Sequence, residues 1–211
     1  MGKIFYIMGK SASGKDKLYG LLAADEELAL RRIVLYTTRP IRRKETDGVE
    51  YHFVDEETLA AFAAQGKVIE QRDYQTVFGV WSYATIDDGS VRVAGAAAAG
   101  NDGEESRPPK ENYIAIGTLE SYQKIRDYYG EDAVVPVYIE VEDGERLARA
   151  VKRERKQPEP KYLELCRRFL ADSEDFSEEN IRRAGITRRF DNTGEFEDCL
   201  KEVEEMIRSM L

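Results

Sequence analysis

The sequence predicts a doubly wound α/β domain, because short β-rich apolar runs alternate with helical patterns along most of its 211 residues. Two loops rich in anion-binding groups follow the first two of those runs. In an open parallel sheet such loops lie at the carboxyl ends of the strands, where ligands bind.

Taken in order, Ile4-Phe5-Tyr6-Ile7-Met8 gives a strand over 3–8, and leucines at helical spacing between Lys17 and Ala24 give a helix over 15–24. Arg32 to Thr37 reads as the next strand. Val49 to Ile86 holds short strands around a helix from Glu56 to Gln65. Strand 112–117, helix 118–129, strand 134–141 and helix 142–156 then restore the β-α alternation. Gln157-Pro158-Glu159-Pro160 interrupts the helical pattern, which resumes from Lys161 to Asp172. Arg189-Phe190-Asp191-Asn192 reads as a last short strand before the amphipathic helix Glu195 to Met210. The stretch 94–110 is small, polar and proline-ended with no aromatic anchor, so a mobile surface loop is expected there.

Composition narrows the function. A length of 211 residues suits one compact domain, and no run approaches the 18 or more apolar residues of a membrane span. No charged-then-apolar leader opens the chain, so a cytoplasmic location is expected. The net charge of −9 argues against a nucleic-acid polymer as partner. Basic residues concentrate instead between Arg31 and Lys44, where six Arg or Lys fall within 14 positions. Cys166, Cys199 and the single His52 indicate neither a zinc site nor a disulfide framework.

Gly9-Lys10-Ser11-Ala12-Ser13-Gly14-Lys15 is a G-x-x-x-x-G-K loop between strand and helix. Its glycines let N–H groups point inward, the helix N-terminus adds positive charge, and the lysine ammonium bridges phosphate oxygens. The residues placed on the polyphosphate are Gly9, Ser11, Ala12, Ser13, Gly14 and Lys15. Asp16 stands where a Ser or Thr hydroxyl normally holds Mg²⁺; its carboxylate is a hard oxygen ligand for that ion, or simply a favourable first-turn acid.

From Thr37 to Phe53, two arginines, a glutamate, a glycine and a tyrosine stand at fixed offsets beyond a strand. Arg39 and Arg42 offer forked hydrogen bonds to a phosphate dianion, Glu45 can orient a guanidinium, and the Tyr51 hydroxyl can donate to the same phosphate. A solvated charged loop is the plainer reading of such a run. Thr37, Thr38, Arg39, Arg42, Glu45, Gly48, Tyr51 and Phe53 fall in register with the monophosphate-binding signature of the guanylate kinase family, and this register together with the phosphate loop marks the resemblance.

That resemblance is tight over residues 3–80 and looser from Asn112 onward. It implies a three-layer P-loop NTPase-type α/β/α fold with a parallel sheet: a core of 1–36 and 112–211, an inserted mixed-β monophosphate-binding subdomain at 37–90, and a helical lid at about 145–170. It implies transfer of the ATP γ-phosphoryl group to GMP or dGMP with Mg²⁺, the partners being ATP and a nucleoside monophosphate and the enzyme a monomer or homodimer. Thr38, Arg39, Arg42, Glu45 and Tyr51 are implied at the acceptor phosphate, with Phe78-Gly79 matching the family's Tyr-Gly pair without its hydroxyl. Glu70 is implied to read guanine through its N1–H and 2-amino group, and Asn192 to lie by the adenine of ATP.

The lid helix is rich in cations. Arg149 and Arg153, four apart, are expected on one helical face, with Arg168 on the next helix, as groups over the migrating phosphoryl; a helix laced with ion pairs such as Glu145 with Arg149 is the alternative. Three further positions depart from the family. Val80 replaces a base-contacting hydroxyl, and Ala115 and Gly117 replace the acids of D-x-D, for which Asp87 and Asp88 are candidate substitutes. These losses favour a phospho-ligand binding module without turnover or a changed acceptor, whereas the intact lysine loop favours a kinase.

Overall fold

The computed structural model describes residues 2–76, 79–93 and 111–211; the expected loop at 94–110 and the position of Phe78 lie outside the described residues. Its elements are β1 (Ile4–Met8), α1 (Lys15–Leu22), β2 (Arg31–Arg32), β3 (Tyr36–Thr37), β4 (His52–Phe53), α2 (Glu56–Ala64), β5 (Val68–Thr76) and β6 (Gly79–Ile86). Then follow β7 (Tyr113–Gly117), α3 (Leu119–Tyr129), β8 (Val134–Glu140), α4 (Asp143–Glu154), α5 (Tyr162–Asp175), α6 (Glu178–Arg183), β9 (Arg189–Asp191) and α7 (Phe196–Arg208).

Five strands form a parallel sheet in the order β2-β7-β1-β8-β9. Strand β1 is central and wholly buried, which is why it reads as a continuous apolar run. Its alternate residues serve two cores. Ile4, Tyr6 and Met8 pack with Tyr122, Ile125 and Tyr129 of α3, whereas Phe5 and Ile7 pack with Leu18 and Leu22 of α1 and with Val203 and Ile207 of α7. Helices thus cover both faces, and the fold is the expected P-loop type three-layer α/β/α.

A second, four-stranded sheet has the order β4-β3-β6-β5, with β3 parallel to β4 and antiparallel to β6. It packs Ala84 and Ile86 against Leu59 of α2 to make its own small core. The predicted strand from Arg32 to Thr37 is two strands, one in each sheet. Its apolar middle, Ile33 to Leu35, is the crossing between them, with the Ile33 N–H still bonded to the Ile114 carbonyl at 3.0 Å. Apolar continuity reports burial, and burial persists where the chain changes sheets. Helix α6 is an element the sequence pattern did not suggest; Ser177 caps it and it buries Ile181.

Candidate active site

The loop between β1 and α1 is shaped by its glycines. A Cβ on Gly9 would meet the Ile139 carbonyl oxygen at 2.5 Å, and Gly14 sits at φ 87° with no room beside the Asn192 amide. Ala12 adopts φ 65°, a left-handed conformation that costs a non-glycine residue about 1–2 kcal/mol. Helix α1 begins at Lys15 with no side-chain cap, so its first N–H groups stay available to an anion. The Lys15 ammonium lies 3.8 Å from the Asp16 carboxylate, and the Asp16 side chain is 83% exposed.

Asn192, which the resemblance sets by an adenine, packs against the phosphate loop. It is only 2% exposed, and its amide donates to the Ser13 carbonyl at 2.7 Å, bracing the loop from within. Its Oδ1 and the Ser13 hydroxyl are buried without hydrogen-bond partners among the described residues.

In the second loop, Arg39 is 3% exposed, and its Nη2 donates to both Glu45 oxygens at 2.8 and 3.0 Å while Nη1 donates to the Pro40 carbonyl. Its guanidinium lies over the rings of Tyr51 and Phe53 at 5.4 and 5.5 Å. Glu45 also accepts from the Arg42 backbone N–H at 2.8 Å, and the Arg39 hydrogen bonds hold its carboxyl below the usual range. Arg42 itself is exposed and makes no ion pair among the described residues. Thr38 contributes differently: it pins this loop to β6, with its hydroxyl accepting from the Ser82 N–H at 2.9 Å.

The lid arginines separate. Arg149 donates from Nε to Glu145 and from Nη1 and Nη2 to the carbonyls of Asn192 and Thr193 at 2.9 and 3.1 Å. Arg153 instead lines a crevice with Ser11, Arg146, Ala150 and Arg168. Arg149 and Arg153, four apart on α4, thus meet different partners in this structure, with the Arg149 fork held by two carbonyls beside α4. Arg168 is 44% exposed and 3.7 Å from Glu164.

Sequence reasoning missed Arg146 and Asp172. Arg146 is 1% exposed, pairs with Asp143 at 2.9 Å and Asp172 at 3.2 Å, and stacks on Phe169 at 3.8 Å. Asp172 in turn accepts from the Ser11 backbone N–H at 2.8 Å, tying the lid to the phosphate loop. The available signal was helical spacing, since Arg146 stands four residues before Ala150 on the face that α4 buries.

Between the two loops lies a cavity of about 490 Å³, lined by Lys15, Asp16, Tyr51, Arg72, Tyr74, Trp81, Tyr83 and Gly117 among others. Strands β5 and β6 pair Arg72 with Tyr83 and Tyr74 with Trp81, so period-two alternation puts all four on one face. Tyr51, Tyr74 and Tyr83 meet edge to face at 5.5 and 5.6 Å.

Glu70 does not line this cavity. Its side chain is 1% exposed and accepts from Arg72, Thr85 and Ser121. Nearby, the Tyr6 hydroxyl stands where a Cβ on Gly117 would go. Burial, then the Glu70 charge, keep that hydroxyl neutral by raising its pKa well above the tyrosine range. Asp87 and Asp88 accept from Tyr128 at 2.6 Å and Tyr36 at 2.8 Å beyond the far end of β6, and neither lines the cavity, so they do not replace the missing acids.

Among the described residues no three His, Cys, Asp or Glu side chains are grouped to hold a metal. The single exposed carboxylate of Asp16 beside Lys15 suits a Mg²⁺ carried in on phosphates and keeping much of its water.

Comparison with known proteins agrees with this geometry. The guanylate kinase family model matches residues 1–90, the stretch that holds both anion-binding loops. Guanylate kinase of Neisseria gonorrhoeae is 42% identical over 101 residues, covering 48% of this chain and 45% of that protein. The Aliivibrio fischeri guanylate kinase is 34% identical over 96 residues, 42% of this chain and 45% of that one. The chain spans about half the length of the curated relatives it matches. A crystal structure of guanylate kinase from Anaplasma phagocytophilum shares the fold, with TM-score 0.56 and 19% identity over 99% of this chain and 86% of that one. No described helix is long and apolar enough to cross a membrane.

Proposed function

This divergent relative of the guanylate kinases is, we propose, a nucleoside monophosphate kinase that transfers the γ-phosphoryl group of ATP to its acceptor, giving ADP and a nucleoside diphosphate. GMP or dGMP is the acceptor that the names of its relatives suggest. The observation that carries the reading is one cavity lined both by Lys15 and Asp16 of the first loop and by Tyr51 of the second. A donor phosphate on the first loop and an acceptor phosphate at the second then meet across that space, and positioning is most of what phosphoryl transfer requires.

In this account the loop N–H groups and Lys15 hold the donor phosphates, while Asp16 holds Mg²⁺ together with them. Arg39, set by Glu45, acts with Arg42 and Tyr51 on the acceptor phosphate. Arg153 and Arg168 line a crevice with Ser11 and supply cations over the migrating group, whose equatorial oxygens carry the transition-state charge. Arg149 positions the lid against the turn after β9. A cytoplasmic monomer or homodimer is part of the same proposal, since its nucleotides are cytoplasmic pools.

The missing D-x-D acids favour a second reading, a binding module that keeps the phosphate clamp without turnover. ADP formation from ATP and Mg²⁺, measured with GMP, dGMP, AMP, CMP and UMP in turn, separates the two. Acceptor-dependent ADP supports the kinase, and binding of a monophosphate without any ADP supports the module.

A further inference from the structure

We propose that Arg72, not Glu70, reads the base, and that the acceptor is a nucleotide whose base turns an oxo edge toward the guanidinium. The inference rests on the kinase reading for its acceptor site and concerns which chemistry that site selects.

Guanine's N1–H and 2-amino group are donors and need a carboxylate with free lone pairs. A carboxylate offers about four acceptor sites. Those of Glu70 face four donors already: Arg72 Nε at 3.1 Å, Arg72 Nη2 at 3.4 Å, Thr85 Oγ1 at 3.0 Å and Ser121 Oγ at 3.2 Å. Turning Glu70 to a ligand would strand a largely buried guanidinium. A second acid is excluded at residue 117, because the Tyr6 hydroxyl occupies the side-chain position there.

What the far wall of the cavity presents is of opposite polarity. Arg72 lines it with Tyr74, Trp81 and Tyr83, and its Nη1 makes no hydrogen bond among the described residues. The rings offer stacking surfaces to any base, which carries little selectivity. Selectivity then falls to the guanidinium, which pairs with O6 and N7 of a 6-oxopurine or with O4 of a 4-oxopyrimidine. Adenine and cytosine place an amino donor at that edge, and donor faces donor. The 2-amino group of guanine goes unread.

The test is calorimetric binding of GMP, IMP, AMP, UMP and CMP to the full chain. Expected are GMP and IMP within about threefold of each other, and each oxo base at least about tenfold tighter than its amino counterpart, IMP over AMP and UMP over CMP. Arg72→Gln, which keeps an amide beside Glu70, should bring the oxo and amino bases to within about threefold. Arg72→Ala frees Glu70 and should make GMP about tenfold tighter than IMP. Wild-type GMP about tenfold or more tighter than IMP overturns the proposal, as does AMP bound as well as IMP. If the binding order holds but ATP yields no ADP with any acceptor, the kinase reading fails and the base reading stands. If none of the five binds, both fall.

Discussion

At one end of the cleft, Gly9 to Lys15 is defined by backbone shape with the Lys15 ammonium at the start of α1; at the far end, the wall is made of side chains brought together from β5 and β6. The first kind of site tolerates few changes, because its glycines and helix start are set by steric exclusion at Ile139 and Asn192. The second kind can change polarity while its strands stay in place. Arg72 lies opposite Tyr83 in the antiparallel pairing that follows the register shift between Val68 and Glu70, and its guanidinium pairs with the buried Glu70 carboxylate. A sterically fixed loop beside a wall of exchangeable side chains is the arrangement expected of a fold on which different acceptors can be served.

The largest effect should come from the donor end. Lys15→Ala removes the ammonium that lines the cleft and should lower turnover by about a hundred- to a thousandfold with melting temperature unchanged, read from initial rates of ADP formation. An unchanged rate would put the chemistry elsewhere. Next is the packing that closes the far end. Gly117→Ala pushes a methyl into the Tyr6 hydroxyl and should destabilise the fold by about 1–3 kcal/mol in urea unfolding. Adding Tyr6→Phe should recover part of that loss, and strict additivity of the two changes would show that they do not touch.

Arg42→Ala should be milder. The side chain is exposed and unpaired among the described residues, so its loss should raise KM for the acceptor by about tenfold with turnover within about threefold. Glu45→Gln should have the smallest effect and a signature in pH. The Arg39 hydrogen bonds hold the Glu45 carboxyl below its ordinary 4.5, so its contribution is complete above pH 4.5 and is lost as the pH falls through the lowered value. The melting difference between wild type and variant should therefore be constant from neutral pH to about 4.5 and shrink below it. A difference that grows on acidification contradicts the pair.

How much of this was legible in the sequence follows the same division. The phosphate loop and the Arg39–Tyr51 run are local, so spacing alone locates them, and β1, α1, α2 and β7 begin and end within two residues of the pattern that predicts them. The pairing of Glu70 with Arg72 was equally close in sequence and still escaped, because two residues apart on a strand face means contact only when both side chains are buried on that face. Gly117 read as a lost acid; only the parallel pairing of β1 with β7 shows Tyr6 filling its place. The link from Asp172 to Ser11 spans 161 positions and carries no local signal at all. Asn192, just past β9, reveals its partner only in the fold, since an amide that braces a loop and one that contacts a ligand look alike in sequence.

The most direct test of the central claim follows the phosphoryl group itself. The purified chain is given ATP labelled in its γ-phosphate, Mg²⁺ and GMP or IMP, and the label is located after a single turnover. The account predicts label in the β-phosphate of the new nucleoside diphosphate, lost in Lys15→Ala. Label released only as inorganic phosphate, or retained on ATP while the monophosphate is bound, would contradict it.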